Sequence, residues 1–267
     1  MPIHPFNRMR INHNSIMTSF QRYFVPLGIQ TRFSSLFMKR ILLVIMFIWN
    51  LLLGQDAVAA DWANKQCYAQ ANRELMAGDP DPQRVVMMGN SITEFWYETH
   101  PGFFHNNHLV GRGIGGQVSS QMLARFRQDV INLEPRIVVI NCGTNDIAEN
   151  FCPYDEDITM DNIKSMTELA LHNGITVILS SVLPCDHFIW NRSVRNVPQK
   201  IRSLNARIME LAEQLSLPYI DYYNAMVYNE GGAINPAYSE DGVHPNSLGY
   251  SVMEPLLLDQ VKKITKH

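Results

Sequence analysis

The sequence predicts an α/β fold, with helices on both faces of a parallel five-stranded sheet. Three observations lead there. Short apolar runs without polar alternation recur five times, as strands buried on both faces do. Segments with a 3.6-residue apolar period separate them. The 267 residues suffice for one sizeable α/β domain.

The first strand is read over residues 84–89, RVVMMG, and the second over 108–112, HLVGR. The third is IVVIN at 137–141, the fourth TVILSS at 176–181, and the fifth PYID at 218–221. Helical periodicity covers 118–133, 161–174 and 198–215, and a last helix fits 247–265. Asn173-Gly174 supplies a helix stop. Strands joined in this way take right-handed crossovers. The common order for five of them is 2-1-3-4-5, which puts ligands beyond the carboxyl ends of the strands.

The N-terminal part reads differently. Met38-Lys39-Arg40 precedes an apolar run of thirteen residues, Ile41 to Leu53, in which only Asn50 is polar, and then GQDAVAADW with Ala57, Ala59 and Ala60. A basic start, a short apolar stretch and small residues before a cut describe a secretory signal peptide over 38–60. Thirteen residues fall short of the ~20 that span a bilayer. Residues 1–37 carry four Arg and no acid, and read as a non-structural extension upstream of a start at Met38. The domain proper is then 61–267. Export implies a periplasmic or extracellular protein with no stable membrane association after cleavage.

Of 22 basic and 25 acidic side chains, residues 1–59 hold six and one, so the remainder has a net charge of about −8. That excludes nucleic acid and anionic membrane as main partners. The four cysteines, Cys67, Cys142, Cys152 and Cys185, show no zinc spacing. Cys142 is expected as a buried thiol. Export permits a disulfide, and Cys152 with Cys185 is the candidate pair.

Four loops reach the carboxyl edge of the sheet: Gly89-Asn90-Ser91, GRGIGGQ at 111–117, Cys142-Gly143-Thr144-Asn145-Asp146, and Ser239 to Pro245. Acyl transfer needs a nucleophile, a base, a group to orient the base, and oxyanion donors. Ser91 can supply the first, although Ser after Asn also reads as a helix cap. His244 can supply the base and Asp241, three residues before it, the orienter. The N–H groups of Ser91 and Gly116 and the amide of Asn145 can converge as donors.

The four blocks GNSIT, GRGIGG, GTND and DGVHP, in this order over about residues 84–260, resemble the SGNH hydrolase superfamily, also called GDSL esterases/lipases. The resemblance implies a flavodoxin-like three-layer α/β/α sandwich and ester hydrolysis without a cofactor or metal. It implies Ser91 as nucleophile, His244 as base and Asp241 as its partner. The Ser91 N–H, Gly116 and Asn145 would form the oxyanion hole. One departure is Asn90, where the family usually has Asp.

Rival readings exist. Gly111, Gly113 and Gly116 satisfy G-x-G-x-x-G and point to a dinucleotide-dependent oxidoreductase, but on the second strand rather than the first. A non-catalytic carbohydrate-binding protein of the same fold is another. His100, His105 and His108 cluster without a regular metal spacing and without a nearby carboxylate. For substrate, Trp96, Phe188 and Trp190 are candidate contacts, with Tyr97 beside Trp96. Few apolar residues are available for a lid. A small-molecule or glycan ester carrying a short acyl group, such as acetyl, is therefore expected; a lysophospholipid or acyl thioester is the alternative.

Overall fold

The computed structural model describes residues 61–266; the predicted extension 1–37 and export signal 38–60 lie outside them. Among the described residues, no helix is long and apolar enough to cross a membrane. The chain runs through α1 (Ala69–Ala77), β1 (Val85–Gly89), α2 (Ser91–Thr99), α3 (Pro101–Asn106) and β2 (Leu109–Gly113). It continues through α4 (Ser119–Asp129), a 3-10 turn (Ile131–Leu133), β3 (Ile137–Ile140), α5 (Thr144–Ile147) and α6 (Glu156–His172). The last part holds β4 (Thr176–Ser180), α7 (Val197–Gln214), β5 (Tyr219–Ile220), α8 (Tyr222–Met226) and α9 (Ser247–Thr265).

The five strands form one sheet in the order β2-β1-β3-β4-β5, with every pairing parallel. This is the predicted topology, and β1, which leads to Ser91, lies between β2 and β3. Side chains alternate along a strand, so each strand feeds two cores. Val86, Met88, Val138, Ile140, Val177 and Leu179 face Met122 and Phe126 of α4, Ile163 and Met166 of α6, and Ile201 and Leu204 of α7. Val85, Met87, Ile137, Val139 and Ile178 face Trp96 of α2, Phe104 of α3, Tyr222 of α8, and Tyr250 and Met253 of α9. Burial on both sides explains why the strands read as unbroken apolar runs.

Several boundaries differ from expectation, each for a local reason. The first crossover holds α2 and α3, hidden in the sequence by β-branched and aromatic residues that favour helix poorly. α6 begins at Glu156 rather than 161, because the Asp155 side chain accepts from the Ile158 N–H and caps it. α4 stops at Asp129, and the chain turns through Ile131–Leu133 into Glu134 with φ +49°. β5 is reduced to two residues.

A buried arginine ties the sheet to α4. Arg125 is fully buried and donates to the carbonyls of Gly89 and Arg112, to Gln117 Oε1 and to Asp129 Oδ2. It thereby joins the last residue of β1 to β2 and to the loop beyond β2. Burial pushes its guanidinium below the ordinary arginine value, and the bond to Asp129 opposes that. Asn72 of α1 bridges Asp129 and Arg112.

The candidate disulfide is not formed: Cys152 and Cys185 are free, as are Cys67 and Cys142. Cys152 is exposed, whereas Cys185 is buried with its thiol against the carbonyl of His187, 3.0 Å away. Burial pushes the Cys185 thiol up to about 12. Cys142 is buried, as expected.

The G-x-G-x-x-G reading also fails. Gly111 and Gly113 lie within β2 rather than in a phosphate loop. A Cβ on Gly113 would strike the backbone of Thr93 and Glu94, and one on Gly111 would sit 3.3 Å from Tyr97 Cβ. These glycines let α2 lie close on the strand.

Candidate active site

Asn90 caps α2 with its side chain, Oδ1 accepting from the Ile92 N–H at 3.0 Å. Asn90 is thus the cap, which leaves the Ser91 hydroxyl for other work. The backbone of Ser91 stands at the helix start, where N–H groups point outward. Its Oγ lies 2.9 Å from His244 Nε2, across 153 residues of sequence.

The loop before α9 supplies the imidazole and its carboxylate. Asp241 Oδ2 lies 2.6 Å from His244 Nδ1. Asp241 Oδ1 accepts from the backbone N–H of Val243 (2.9 Å) and of His244 (2.8 Å), and from Ser239 Oγ (3.2 Å). Gly242, at φ +80°, makes the turn that lets Asp241 fold back on His244. Burial raises the Asp241 carboxyl, but the hydrogen bonds from the His244 ring and from the N–H groups of His244 and Val243 outweigh it. The net result lies below the ordinary carboxylate value.

The loops after β2 and β3, where the sequence places the candidate donors Gly116 and Asn145, bond to each other. Gly115 runs against the nucleophile: a Cβ there would lie 3.9 Å from Ser91 Cβ. Gly116 has φ +75°, which a side chain would oppose. Asn145 is buried, its Nδ2 donating to the Gln117 carbonyl at 2.9 Å. Asp146 fixes one loop to the other by accepting from the N–H (3.0 Å) and the hydroxyl (2.5 Å) of Ser119. Burial pushes the Asp146 carboxyl up, against the pull of those bonds.

Ser91, His244 and Asp241 therefore stand in one hydrogen-bonded row. The arrangement suits proton transfer from hydroxyl to imidazole.

Of the predicted substrate contacts, only Trp190 stands at the site. It is 44% exposed, and its ring centroid lies 6.1 Å from that of His244. Trp96 is 2% exposed, packed by Phe103, Phe104, Tyr222 and Tyr250, and has no face for a ligand. Phe188 is buried too, beneath Trp190. Phe95, not anticipated, flanks His244 at 5.2 Å. Asn150, Asp146, Gln117 and Arg125 were not anticipated either. Each has at least one partner more than twenty residues away in sequence, which no local pattern marks.

Two of the three histidines, His100 and His108, have carboxylate partners after all. His100 bonds Glu254 (2.6 Å) and Ser247 (2.7 Å), and His108 bonds Asp81 (3.0 Å). No group of three or more His, Cys, Asp or Glu that could hold a metal occurs among the described residues.

Comparison with known proteins bears on this geometry. Residues 87–252 match the GDSL-like Lipase/Acylhydrolase family. The crystal structure of a GDSL-like lipase from Bacteroides thetaiotaomicron is similar, with 52% identity and a TM-score of 0.74 over 76% of this chain and 99% of that one. An acetylxylan esterase of Xylanibacter ruminicola is 24% identical over 225 residues. They make up 71% of this chain, which spans only 45% of the esterase's length. The thioesterase 1/protease 1/lysophospholipase L1 of Escherichia coli is 22% identical over 160 residues, 60% of this chain and 69% of that one.

Proposed function

The chain belongs to the GDSL-like lipase/acylhydrolase family, and on that premise we propose that it is an exported serine esterase which removes short acyl groups, acetyl above all, from carbohydrate. The observation that carries the reading is the row from Ser91 Oγ through His244 to Asp241, with contacts of 2.9 and 2.6 Å.

In the proposed cycle, His244 Nε2 takes the Ser91 proton as Oγ attacks the ester carbonyl. The carbonyl π pair moves onto oxygen. The N–H groups of Ser91 and Gly116 and the Asn145 amide receive that oxyanion. Asp241 keeps the His244 Nδ1–H in place and balances the imidazolium. On collapse, the C–O bond to the alcohol breaks and the alcohol leaves with the proton from His244. Water, deprotonated by His244, then attacks the acyl-enzyme; the acid departs and Ser91 recovers its proton.

Carbohydrate is favoured by Phe95 and Trp190, whose partly exposed rings flank His244. Aromatic faces with polar edges suit sugar rings. The similarity to an acetylxylan esterase supports the same choice. Lysophospholipid or thioester hydrolysis is the second reading, favoured by the similarity to the E. coli enzyme. Export rests on the sequence of residues 38–60.

The test is hydrolysis of p-nitrophenyl acetate by the purified protein and its loss in Ser91→Ala. Unchanged turnover in that variant overturns the mechanism. A series of p-nitrophenyl esters separates the substrates: preference for chains of eight or more carbons would favour the second reading.

A further inference from the structure

A side-chain amide can face its surroundings in two ways, with nitrogen and oxygen exchanged. For Asn145 the choice is decisive: one orientation offers an N–H to the acyl oxygen, and the other sets a carbonyl against it. A chain of hydrogen bonds selects between them. Trp190 Nε1 donates to Asn150 Oδ1 at 2.8 Å. Asn150 Nδ2 donates to Asn145 Oδ1 at 3.0 Å and to the Gly116 carbonyl at 3.3 Å. Asn145 Nδ2 donates to the Gln117 carbonyl at 2.9 Å.

The two ends of this chain are not interchangeable. An indole N–H only donates, and a backbone carbonyl only accepts. With the ends fixed, both intervening amides have one satisfied orientation. Turning Asn145 over would put oxygen against the Gln117 carbonyl and N–H against N–H of Asn150. Asn145 is 3% exposed, so water cannot repair the mismatch. The second hydrogen on Asn145 Nδ2 is left for the reacting oxygen.

We infer that Asn150 and Trp190 are positioning residues that fix the polarity of the Asn145 amide, and that Asn150 also steadies the Gly116 side of the oxyanion hole. The inference rests on the esterase reading above. Trp190 thereby has two attachments, its ring beside His244 and its N–H at the head of the chain leading to Asn145.

Asn150→Asp tests it. The new carboxylate still accepts from Trp190 but has no hydrogen to give Asn145 Oδ1, so Asn145 turns its nitrogen toward it. The kcat for p-nitrophenyl acetate should fall on the order of 10²-fold, as on loss of an oxyanion donor, with KM little changed. Asn145→Ala should lose about 10²–10³-fold. In that background Asn150→Asp should add almost nothing, because the groups act as one unit. Trp190→Phe, which keeps a ring but deletes the donor, should lower kcat several-fold in wild type and not in Asn145→Ala. Thermal unfolding checks that each variant folds; if Asn150→Asp does not, the Trp190→Phe pair carries the test. Wild-type kcat in Asn150→Asp, or an equal loss in both backgrounds, overturns the inference. Failure of the esterase reading shows separately, as undiminished turnover in Ser91→Ala.

Discussion

Asp241 grips His244 twice, through the ring nitrogen at 2.6 Å and through the backbone N–H at 2.8 Å. The carboxylate is thus bound to the loop it orients as well as to the imidazole. Asp241→Asn keeps the shape but presents an amide to Nδ1. The amide N–H then donates to Nδ1 and holds the ring proton on Nε2, the wrong tautomer for a base, and kcat for p-nitrophenyl acetate should fall on the order of 10⁴-fold, as for the same change in the serine-protease triad. KM should change little. Steady-state kinetics with matched unfolding curves check both.

The same contacts make stability depend on pH. The Asp241 carboxyl is held below its ordinary value of 3.8 in the folded chain. The folded state therefore binds its proton more weakly than the unfolded state. The contribution is complete above the unfolded pKa of about 3.9 and is lost as pH falls through the lower folded value. Urea unfolding of wild type and Asp241→Asn between pH 2 and 6 should show the difference between them shrinking at the acid end. A constant difference would contradict the assignment.

Trp96 belongs to the core. Trp96→Ala should destabilise the fold by about 3–5 kcal/mol through cavity formation. The fraction that remains folded should bind substrate with an unchanged KM. Thermal unfolding and kinetics below the transition measure the two separately.

Arg125→Met should cost about 3–5 kcal/mol, since it leaves Asp129 buried without its ion pair. It also strips a donor from the Gly89 carbonyl, one residue before Asn90. Chemical denaturation reads the loss.

The thiols check the absence of a disulfide. Without reductant, the native domain should give two fast equivalents with a thiol reagent, from exposed Cys67 and Cys152. Cys142 and Cys185 should react only on unfolding. Burial raises the Cys67 thiol, so it should be slower than an unperturbed thiol at the same pH.

The sheet was legible in the sequence because two-sided burial writes each strand as an apolar run, and the loops because glycine and polar residues punctuate the strand ends. Side-chain direction was not. Trp96 lies five places after Ser91, about 140° around a helix from it, and so points into the core. Phe95, four places after, lies about 40° from Ser91 and faces His244. Choosing between them required knowing that the segment was helical. The part played by Asn150 was illegible for another reason: Trp190 stands forty residues downstream of it and Gly116 thirty-four upstream.

The two ends of the described chain are anchored to opposite edges of the parallel sheet. Near the start, the carbonyls of Trp62 and Ala63 are pinned by Gln121 and Gln117, and Gln117 in turn touches Asn145. Near the finish, the Ile264 carbonyl meets Arg136, just ahead of β3, at the amino edge of the sheet, whereas Ser91 follows the carboxyl end of β1. A purification handle or surface tether joined ahead of Trp62 would crowd the mouth of the crevice, whereas one joined behind Thr265 would present that mouth to an incoming polymer. Attachment chemistry alone could thus decide whether immobilised protein acts on a bulky, insoluble ester.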